Sequence, residues 1–195
     1  EILRYFANIV GRYISFVQKA NTRIRTLDLK VICPSHGPIL RSNPWRVVDL
    51  YDRWSRQEAE EGCVVVYGSM YGNTKKMTDA IARSLSESGI RRVVVHDVSR
   101  ANMSFLVRDI WNFRGLVLGS CTYNTELFPP MAHLARTLAN KAMKGRVLGL
   151  CAVCGLAGKA RVKGFLMTTL GVILSRVGVG PSSGVARMTF GYPEL

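Results

Sequence analysis

Two glycines bracket a short polar segment whose side chains could bind an anion. Ser69, Asn73 and Thr74 supply hydroxyl and amide groups, while Gly68 and Gly72 allow the backbone to turn tightly and to approach a ligand. The segment follows an apolar run and opens a helical pattern, and a helix start offers unpaired N–H groups and partial positive charge. This combination predicts a phosphate site. An ordinary capped helix is the plainer alternative, but capping needs fewer donors than this segment supplies.

The same segment excludes two other nucleotide-binding patterns. It lacks the Gly-Lys-Ser/Thr ending of nucleoside-triphosphate loops, and it lacks the Gly-x-Gly-x-x-Gly spacing of dinucleotide-binding folds. Hydroxyl and amide donors without lysine suit a phosphate monoester such as that of FMN. The predicted cofactor-binding residues of this segment are Ser69, Met70, Tyr71, Gly72, Asn73 and Thr74.

Strands alternate with helices from residue 64 onward. This alternation predicts an α/β fold, a parallel sheet wrapped on both faces by helices with right-handed crossovers. Strands are predicted at Val64–Tyr67, Arg92–His96, Leu116–Gly119 and Val147–Cys151, with further extended segments around Val172–Val177 and Ala186–Phe190. Helices are predicted at Asn73–Ser86, Ser104–Trp111, Pro129–Lys141 and Lys159–Leu170.

A second polar segment follows the third predicted strand. In the flavodoxin-like strand order a ligand lies at the switch between the first and third strands, as FMN does in flavodoxin, so the two segments should meet. Tyr123 could pack against the isoalloxazine ring, and Thr122 and Asn124 could bond its polar edge. The alternative is an ordinary strand-to-helix loop. The predicted cofactor-binding residues here are Ser120, Cys121, Thr122, Tyr123 and Asn124.

The residues before the alternating pattern contain one histidine, which lies in a turn. Apolar spacing predicts an amphipathic helix over residues 2–19, and Leu29–Cys33 is strand-like. His36 then lies in a rigid Pro-Ser-His-Gly-Pro turn. Taken by itself this segment indicates a turn histidine without metal, and a neutral imidazole that ligates a metal is the alternative. Ser42 or Asn43 could cap a second helix that starts at Pro44.

The quoted segments resemble those of the flavodiiron proteins, also called A-type flavoproteins. Ser69–Thr74 resembles their phosphate loop, and Gly119–Asn124 with the following Leu127–Met131 resembles their second flavin loop. Cys33–Pro38 resembles the last metal-ligand segment of their metallo-β-lactamase-like domain. The resemblance implies that residues 1–58 are a C-terminal fragment of that diiron domain. It also implies that residues 59–195 are an FMN-binding flavodoxin-like domain that lacks its final helix. Such a domain is a doubly wound five-stranded parallel sheet.

A third element departs from the family pattern. The family places a Gly-Ser-Tyr-Gly-Trp-Ser-Gly segment after the fourth strand, where this chain has Ala152–Gly158. Gly155 is retained and is predicted to contact the cofactor, whereas the aromatic and hydroxyl side chains are replaced. We therefore expect weaker flavin packing on that side. Cys151 and Cys154 form a C-x-x-C pair, which we interpret as incidental because a structural zinc site usually needs a second pair.

The resemblance implies an electron-transfer function for the intact parent protein. An FMN-bearing module would receive electrons from a donor such as rubredoxin or a flavin reductase, within a head-to-tail homodimer. It would pass them to a diiron site that reduces oxygen or nitric oxide, with His36 as one iron ligand in the intact parent only. The alternative is a flavodoxin-like docking or dimerisation module that has lost FMN. The chain alone is expected to bind no iron, because the other ligand segments are absent from it.

Composition limits the remaining classes of function. No run of eighteen apolar residues occurs, so no membrane span is expected. An odd number of cysteines, five, indicates free thiols in a reducing compartment, and the cytoplasm is the expected location. The net charge of +14 favours acidic partners over nucleic acid, for which no motif is present. The dense basic cluster comprises Lys141, Lys144, Arg146, Lys159, Arg161 and Lys163.

Overall fold

The computed structural model describes residues 1–124, 126–141 and 143–153. The chain divides into two compact units, one of residues Glu1–Glu58 and one that begins at Ala59. The helix predicted at 159–170 and the extended segments predicted at 172–177 and 186–190 lie outside the described residues.

The first unit is helical. Its helices are α1 (Ile2–Asn8), α2 (Ile14–Ile24) and α3 (Pro44–Ser55), with a 3₁₀ turn at Val10–Tyr13 between the first two. The prediction of one continuous helix over residues 2–19 is therefore wrong. The break contains Gly11, the poorest helix former of the segment.

The start of α3 follows the sequence signals. The side chain of Asn43 accepts a hydrogen bond from the Arg46 backbone N–H at 3.2 Å, and Pro44 occupies the first position of the helix. Asn43 is thus confirmed as the capping residue of the two candidates.

An aromatic cluster forms the core of the first unit. Phe6 is fully buried, and its ring lies 4.9 Å from that of Tyr51 and 5.4 Å from that of Trp54. The strand predicted at Leu29–Cys33 is wrong, since a single bridge between Ile32 and Leu40 is the pairing found there.

The second unit is built on a mostly parallel sheet, which confirms the predicted α/β class. The parallel strands run in the order β2-β1-β3-β5, and the short β4 pairs antiparallel with β3. Residues 62–68 of β1 are all buried, as expected for a central strand covered on both faces. The strands are β1 (Glu60–Gly68), β2 (Val93–Asp97), β3 (Phe113–Tyr123), β4 (Glu126–Leu127) and β5 (Val147–Val153).

Three helices connect the parallel strands. They are α4 (Asn73–Glu87), α5 (Met103–Asn112) and α6 (Pro129–Ala139). The crossover through α4 runs from β1 to β2, in the direction opposite to the crossovers through α5 and α6. Right-handed crossovers therefore require α4 on one face of the sheet and the other two helices on the opposite face. This is the doubly wound arrangement that the sequence predicts.

Arg146 stabilises the end of α5 instead of contributing to a basic surface. Arg146 is only 5% exposed. Its guanidinium donates hydrogen bonds to the backbone carbonyls of Ile110, Trp111 and Lys144, at 3.3, 2.6 and 2.9 Å respectively. Burial lowers the pKa of this guanidinium to about 10. The placement of Arg146 in an exposed basic cluster is thus wrong, because helix-end carbonyls take up its donors.

Candidate functional site

The two polar segments lie side by side at the carboxyl ends of β1 and β3. Tyr67 is paired with Gly119, and Gly68 with Ser120, in a parallel register. Since both strands end at the same edge of the sheet, the segments that follow them come together. Burial raises the pKa of the Cys121 thiol, and the Met70 backbone of the first segment acts in the opposite direction.

The turn before α4 leaves the start of the helix without a side-chain cap. The Gly72 N–H donates to Ser69 Oγ at 3.0 Å, so this hydroxyl closes the turn. Gly72 has φ +84°, a left-handed conformation that glycine adopts without strain, and no side chain caps α4. The alternative of an ordinary capped helix does not describe this turn. The first N–H groups of α4 are available to an external acceptor.

Thr74 carries the most informative atom of the site. The residue is 1% exposed, and its Oγ1 has no hydrogen-bond partner among the described residues. The neighbouring Thr78 is equally buried, but its hydroxyl donates to the Thr74 carbonyl at 3.0 Å. A buried hydroxyl without a partner costs about 1–3 kcal/mol. The orphaned Thr74 hydroxyl in the first turn of α4 therefore fits a site where a ligand oxygen completes its bonding.

The two glycines that bracket the segment have different roles. A Cβ atom on Gly72 would meet nothing within 4 Å, so its backbone conformation is what requires glycine. A Cβ atom on Gly68 would lie 2.6 Å from Cδ1 of Phe128, and Gly68 is not in the left-handed region. The missing side chain of Gly68 thus makes room for the Phe128 ring, and the close approach of a ligand to Gly68 stays a prediction.

The second segment continues β3 instead of forming a loop. Thr122 pairs with Leu127 and Tyr123 with Glu126, so the strand extends four residues past its predicted end at Gly119. The antiparallel partner supplies hydrogen bonds that the local sequence pattern alone does not reveal. Asn124 follows the strand with φ +47°, a left-handed conformation that asparagine tolerates well.

The side chains of this extension differ widely in exposure. Ser120 is 4% exposed, and its hydroxyl donates to the Cys121 carbonyl at 2.8 Å. Tyr123 is 44% exposed. Met70 and Tyr71 of the first segment are also exposed, at 42% and 85%. Large apolar side chains thus stand exposed around a polar edge of the sheet. Such surfaces suit a planar aromatic ligand whose rim carries polar groups.

The third element lies largely outside the described residues. Gly155 and Cys154 belong to the part of the chain that follows residue 153, so the predicted contact of Gly155 with the cofactor stays a prediction. Cys151 is buried in β5, and burial raises the pKa of its thiol to about 11, as it does for Cys63. Both thiols are therefore protonated at neutral pH and poorly reactive.

His36 is exposed at a loop that the Ile32–Leu40 bridge closes. Its ring centroid lies 5.9 Å from that of Tyr5, and Gly37 beside it has φ +106°. Across residues 1–124, 126–141 and 143–153, no group of three or more His, Cys, Asp or Glu side chains is arranged to hold a metal. His36 accordingly belongs to no such group in the described part of the chain.

One polar cluster was not anticipated from the sequence. His96 Nε2 lies 2.8 Å from Oδ2 of Asp109, and Arg108 Nε donates to the other carboxylate oxygen at 2.7 Å. Asp109 is buried in α5, while His96 belongs to β2. These bonds satisfy the carboxylate and link the helix to the sheet, which is a structural role. The alternation of inward- and outward-facing residues along β2 could have indicated that His96 faces inward. It could not have identified Asp109 as the partner, because Asp109 is thirteen residues away in the sequence.

A cavity of about 860 Å³ lies away from the two polar segments. It is lined by the amino halves of β1 and β3, by β5 and by Ile81 and Leu85 of α4. Its walls are mainly apolar, and the chemistry-bearing side chains described above, apart from the inert thiols of Cys63 and Cys151, are not among them. The candidate site is therefore the carboxyl edge of the sheet.

A sequence model of the tripartite tricarboxylate transporter TctA family matches residues 113–195. The described residues of that range form β3, β4, α6 and β5 of the α/β unit. In the described part of the chain, no helix has the length and apolar character needed to cross a bilayer. We predict from the sequence that residues 154–195 complete the flavodoxin-like domain. The match to the transporter family does not support this prediction, which stays untested.

Relatives and solved structures point to the flavodiiron proteins. The anaerobic nitric oxide reductase flavorubredoxin of Escherichia coli is 30% identical over 146 residues, which are 73% of this chain and 30% of that protein. Rubredoxin oxygen:oxidoreductase of Desulfovibrio gigas has a TM-score of 0.81 at 24% identity, over 93% of this chain and 45% of that one. A mutant flavo-diiron protein of Thermotoga maritima has a TM-score of 0.73 at 26% identity, over 85% and 42% of the two chains.

These similarities cover only part of the relatives. The chain spans about a third of the length of the curated relatives it matches, 32% and 30% for the first two. The fold of the second unit is flavodoxin-like, as in the matched flavodiiron structures. The similarity to flavodiiron proteins supports a flavodoxin-like redox module.

Proposed function

We propose that the unit beginning at Ala59 binds FMN and transfers electrons as a module of a flavodiiron-type oxidoreductase. The observation that carries the proposal is the buried, unpartnered Thr74 hydroxyl at an uncapped helix start, beside the second polar segment. A helix of this length concentrates N–H donors and partial positive charge at its first turn. A phosphate monoester matches both the donors and the charge.

The residues present fit the two halves of such a cofactor. Ser69, Asn73 and Thr74, with the N–H groups of the first turn of α4, would hold the phosphate. The residues that would hold the ring are Met70, Tyr71, Thr122, Tyr123 and Asn124, with Gly155 as a further predicted contact. When bound, FMN supplies the exchange of one or two electrons, while the protein provides position and electrostatic environment.

The activity of the parent protein is a second step of the proposal. The parent would reduce oxygen or nitric oxide at a diiron site to which His36 contributes one ligand. The names of two relatives support this, since one is a nitric oxide reductase flavorubredoxin and the other a rubredoxin oxygen:oxidoreductase. The same names support rubredoxin as the electron donor, with a flavin reductase as the other candidate. We further propose a head-to-tail homodimer of the parent and a cytoplasmic location.

An FMN titration of the full chain tests the proposal. The protein is added to FMN, and quenching of flavin fluorescence reports binding. We expect saturable binding near one FMN per chain, with a visible spectrum distinct from that of free flavin. Riboflavin, which lacks the phosphate, serves as the control and should bind more weakly. Absence of FMN binding by a chain whose circular dichroism shows a folded α/β protein would refute the flavin site.

The docking module without FMN is the second candidate function. The exposure of Tyr71, at 85%, favours it, because an exposed aromatic side chain is typical of contact surfaces. A folded chain that does not bind FMN but forms dimers in analytical ultracentrifugation would support this alternative. Nucleic-acid binding loses support because Arg146 of the basic cluster is buried.

A further inference from the structure

The contact between Gly119 of β3 and the first turn of α4 leaves no room for a side chain. A Cβ atom on Gly119 would lie 2.6 Å from Cγ2 of Thr78, 3.0 Å from Sγ of Cys151 and 3.4 Å from Cγ2 of Thr74. Real Cβ atoms essentially never come within 3.0 Å of such neighbours. Gly119 is outside the left-handed region, so space alone, and not backbone conformation, requires glycine here.

The atom that would have to yield is not on a flexible side chain. Thr78 is β-branched and fully buried, and its hydroxyl donates to the carbonyls of Thr74 and Lys75, both at 3.0 Å. These bonds fix the side chain to the same turn of α4 that carries Thr74. A Cβ atom at position 119 would therefore displace the whole first turn of α4 from β3.

Thr74 connects this displacement to the proposed phosphate site, because a shift of the turn also moves the Thr74 hydroxyl. Its methyl group is near Gly119, and its hydroxyl is the buried atom without a partner. We propose that Gly119 is a positioning residue of the flavin phosphate site. Its missing side chain sets the separation of β3 and α4, and thereby the position of the Thr74 hydroxyl and of the first N–H groups. This inference rests on the FMN site proposed above and adds two residues outside the phosphate segment, Gly119 and Thr78.

The test compares FMN with riboflavin in the full-length variant Gly119→Ala. We expect FMN affinity to fall about tenfold or more, as for the loss of a hydrogen bond to a charged group. Riboflavin affinity should stay at the wild-type value, because riboflavin has no phosphate. The ratio of the two affinities is the informative quantity. A purely structural defect reduces the amount of folded protein and lowers both affinities alike, which leaves the ratio unchanged.

Gly115→Ala is the matched control on the same strand. A Cβ atom there would lie 3.0 Å from Cys63 Sγ and 3.0 Å from the Gly62 carbonyl, toward the amino end of β3. It should lower stability without changing the affinity ratio. The double variant Gly119→Ala/Thr78→Ser provides the rescue. Serine lacks the clashing methyl group but keeps the hydroxyl, so the ratio should return toward the wild-type value.

The outcomes separate this inference from the proposed function. If the wild-type chain binds FMN and Gly119→Ala leaves the affinity ratio unchanged, the positioning role is wrong and the flavin site stands. If the folded wild-type chain binds no FMN, both proposals fall. Should Gly119→Ala not fold, Thr78→Val takes its place. It removes the bonds that fix the turn, and an unchanged ratio in this variant likewise overturns the inference.

Discussion

The polar edge of the sheet and the loop of His36 differ in how much of a site each contains. At the sheet edge, the first turn of one helix supplies backbone donors, and Thr74 adds a buried hydroxyl. At the loop, His36 is exposed and belongs to no group of three or more potential metal ligands within the described residues. A phosphate can be bound by a single helix start and a few neighbouring groups, whereas a diiron centre needs ligands that converge from several distant segments. The described residues therefore contain the donors that the proposed phosphate site needs, but at the loop only one of the ligands that the proposed diiron site needs.

Among the variants that test this comparison, the replacement of Thr74 by valine should lower FMN affinity the most. Thr74→Val keeps the shape but removes the orphaned hydroxyl, and we expect FMN affinity to fall roughly tenfold to a hundredfold. The ligand-free protein should be as stable as the wild type or more so, because a buried unpaired hydroxyl is removed. Fluorescence titration and urea unfolding measure the two quantities. Thr137→Val, which removes a bonded helix hydroxyl in α6, is the control and should leave FMN affinity unchanged.

Replacement of Gly72 by alanine should have the next largest effect. At φ +84° a Cβ atom costs about 1–2 kcal/mol, and any relief of this strain distorts the turn that precedes α4. Both the free energy of unfolding and FMN affinity should therefore decrease. Gly89→Ala is a matched control, since Gly89 has φ +93° and equally open surroundings. That variant should lose similar stability but no FMN affinity, and equal losses of affinity in both would argue against a phosphate at the start of α4.

Replacement of Tyr123 by leucine should have a smaller effect. Loss of an aromatic contact is worth about 0.5–1.5 kcal/mol, so FMN affinity should fall roughly two- to tenfold with little change in stability. Tyr13→Leu, at an exposed tyrosine of the first unit, is the control. If both variants bind FMN like the wild type, Tyr123 does not contact the ring. The measurement is the same fluorescence titration.

Replacement of His36 by alanine should have the smallest effect in this chain. An exposed loop side chain without a metal contributes little, so the free energy of unfolding should change by less than about 0.5 kcal/mol. FMN affinity should not change, and elemental analysis should find no bound iron in either protein. Stoichiometric iron in the wild type that disappears in His36→Ala would show that this chain assembles a metal site unaided, and would remove the contrast between the two regions.

Much of the second unit could be predicted from local patterns. The buried valine run predicted β1, the glycine-bracketed segment predicted a turn, and the pattern from Asn73 predicted α4. Each of these patterns lies within a few residues. Asn43 and Pro44 likewise identified the start of α3. Such features depend on residues within a few positions of each other, which is the range that sequence patterns report.

The errors have more than one cause. The extension of β3 to Tyr123 depends on its pairing with β4, which joins residues only three and five positions apart but is too short to give a strand pattern of its own. The role of Arg146 is decided by carbonyl partners about 35 residues earlier in the chain. Composition and spacing could not reveal such a distant partner.

The buried guanidinium of Arg146 also has a consequence for the order of synthesis. The last carbonyls of α5 leave the ribosome 35 residues before the side chain that satisfies them. Until then water must hydrate those carbonyls. The arrival of Arg146, just before β5, therefore completes hydrogen bonding that α5 left open four elements earlier.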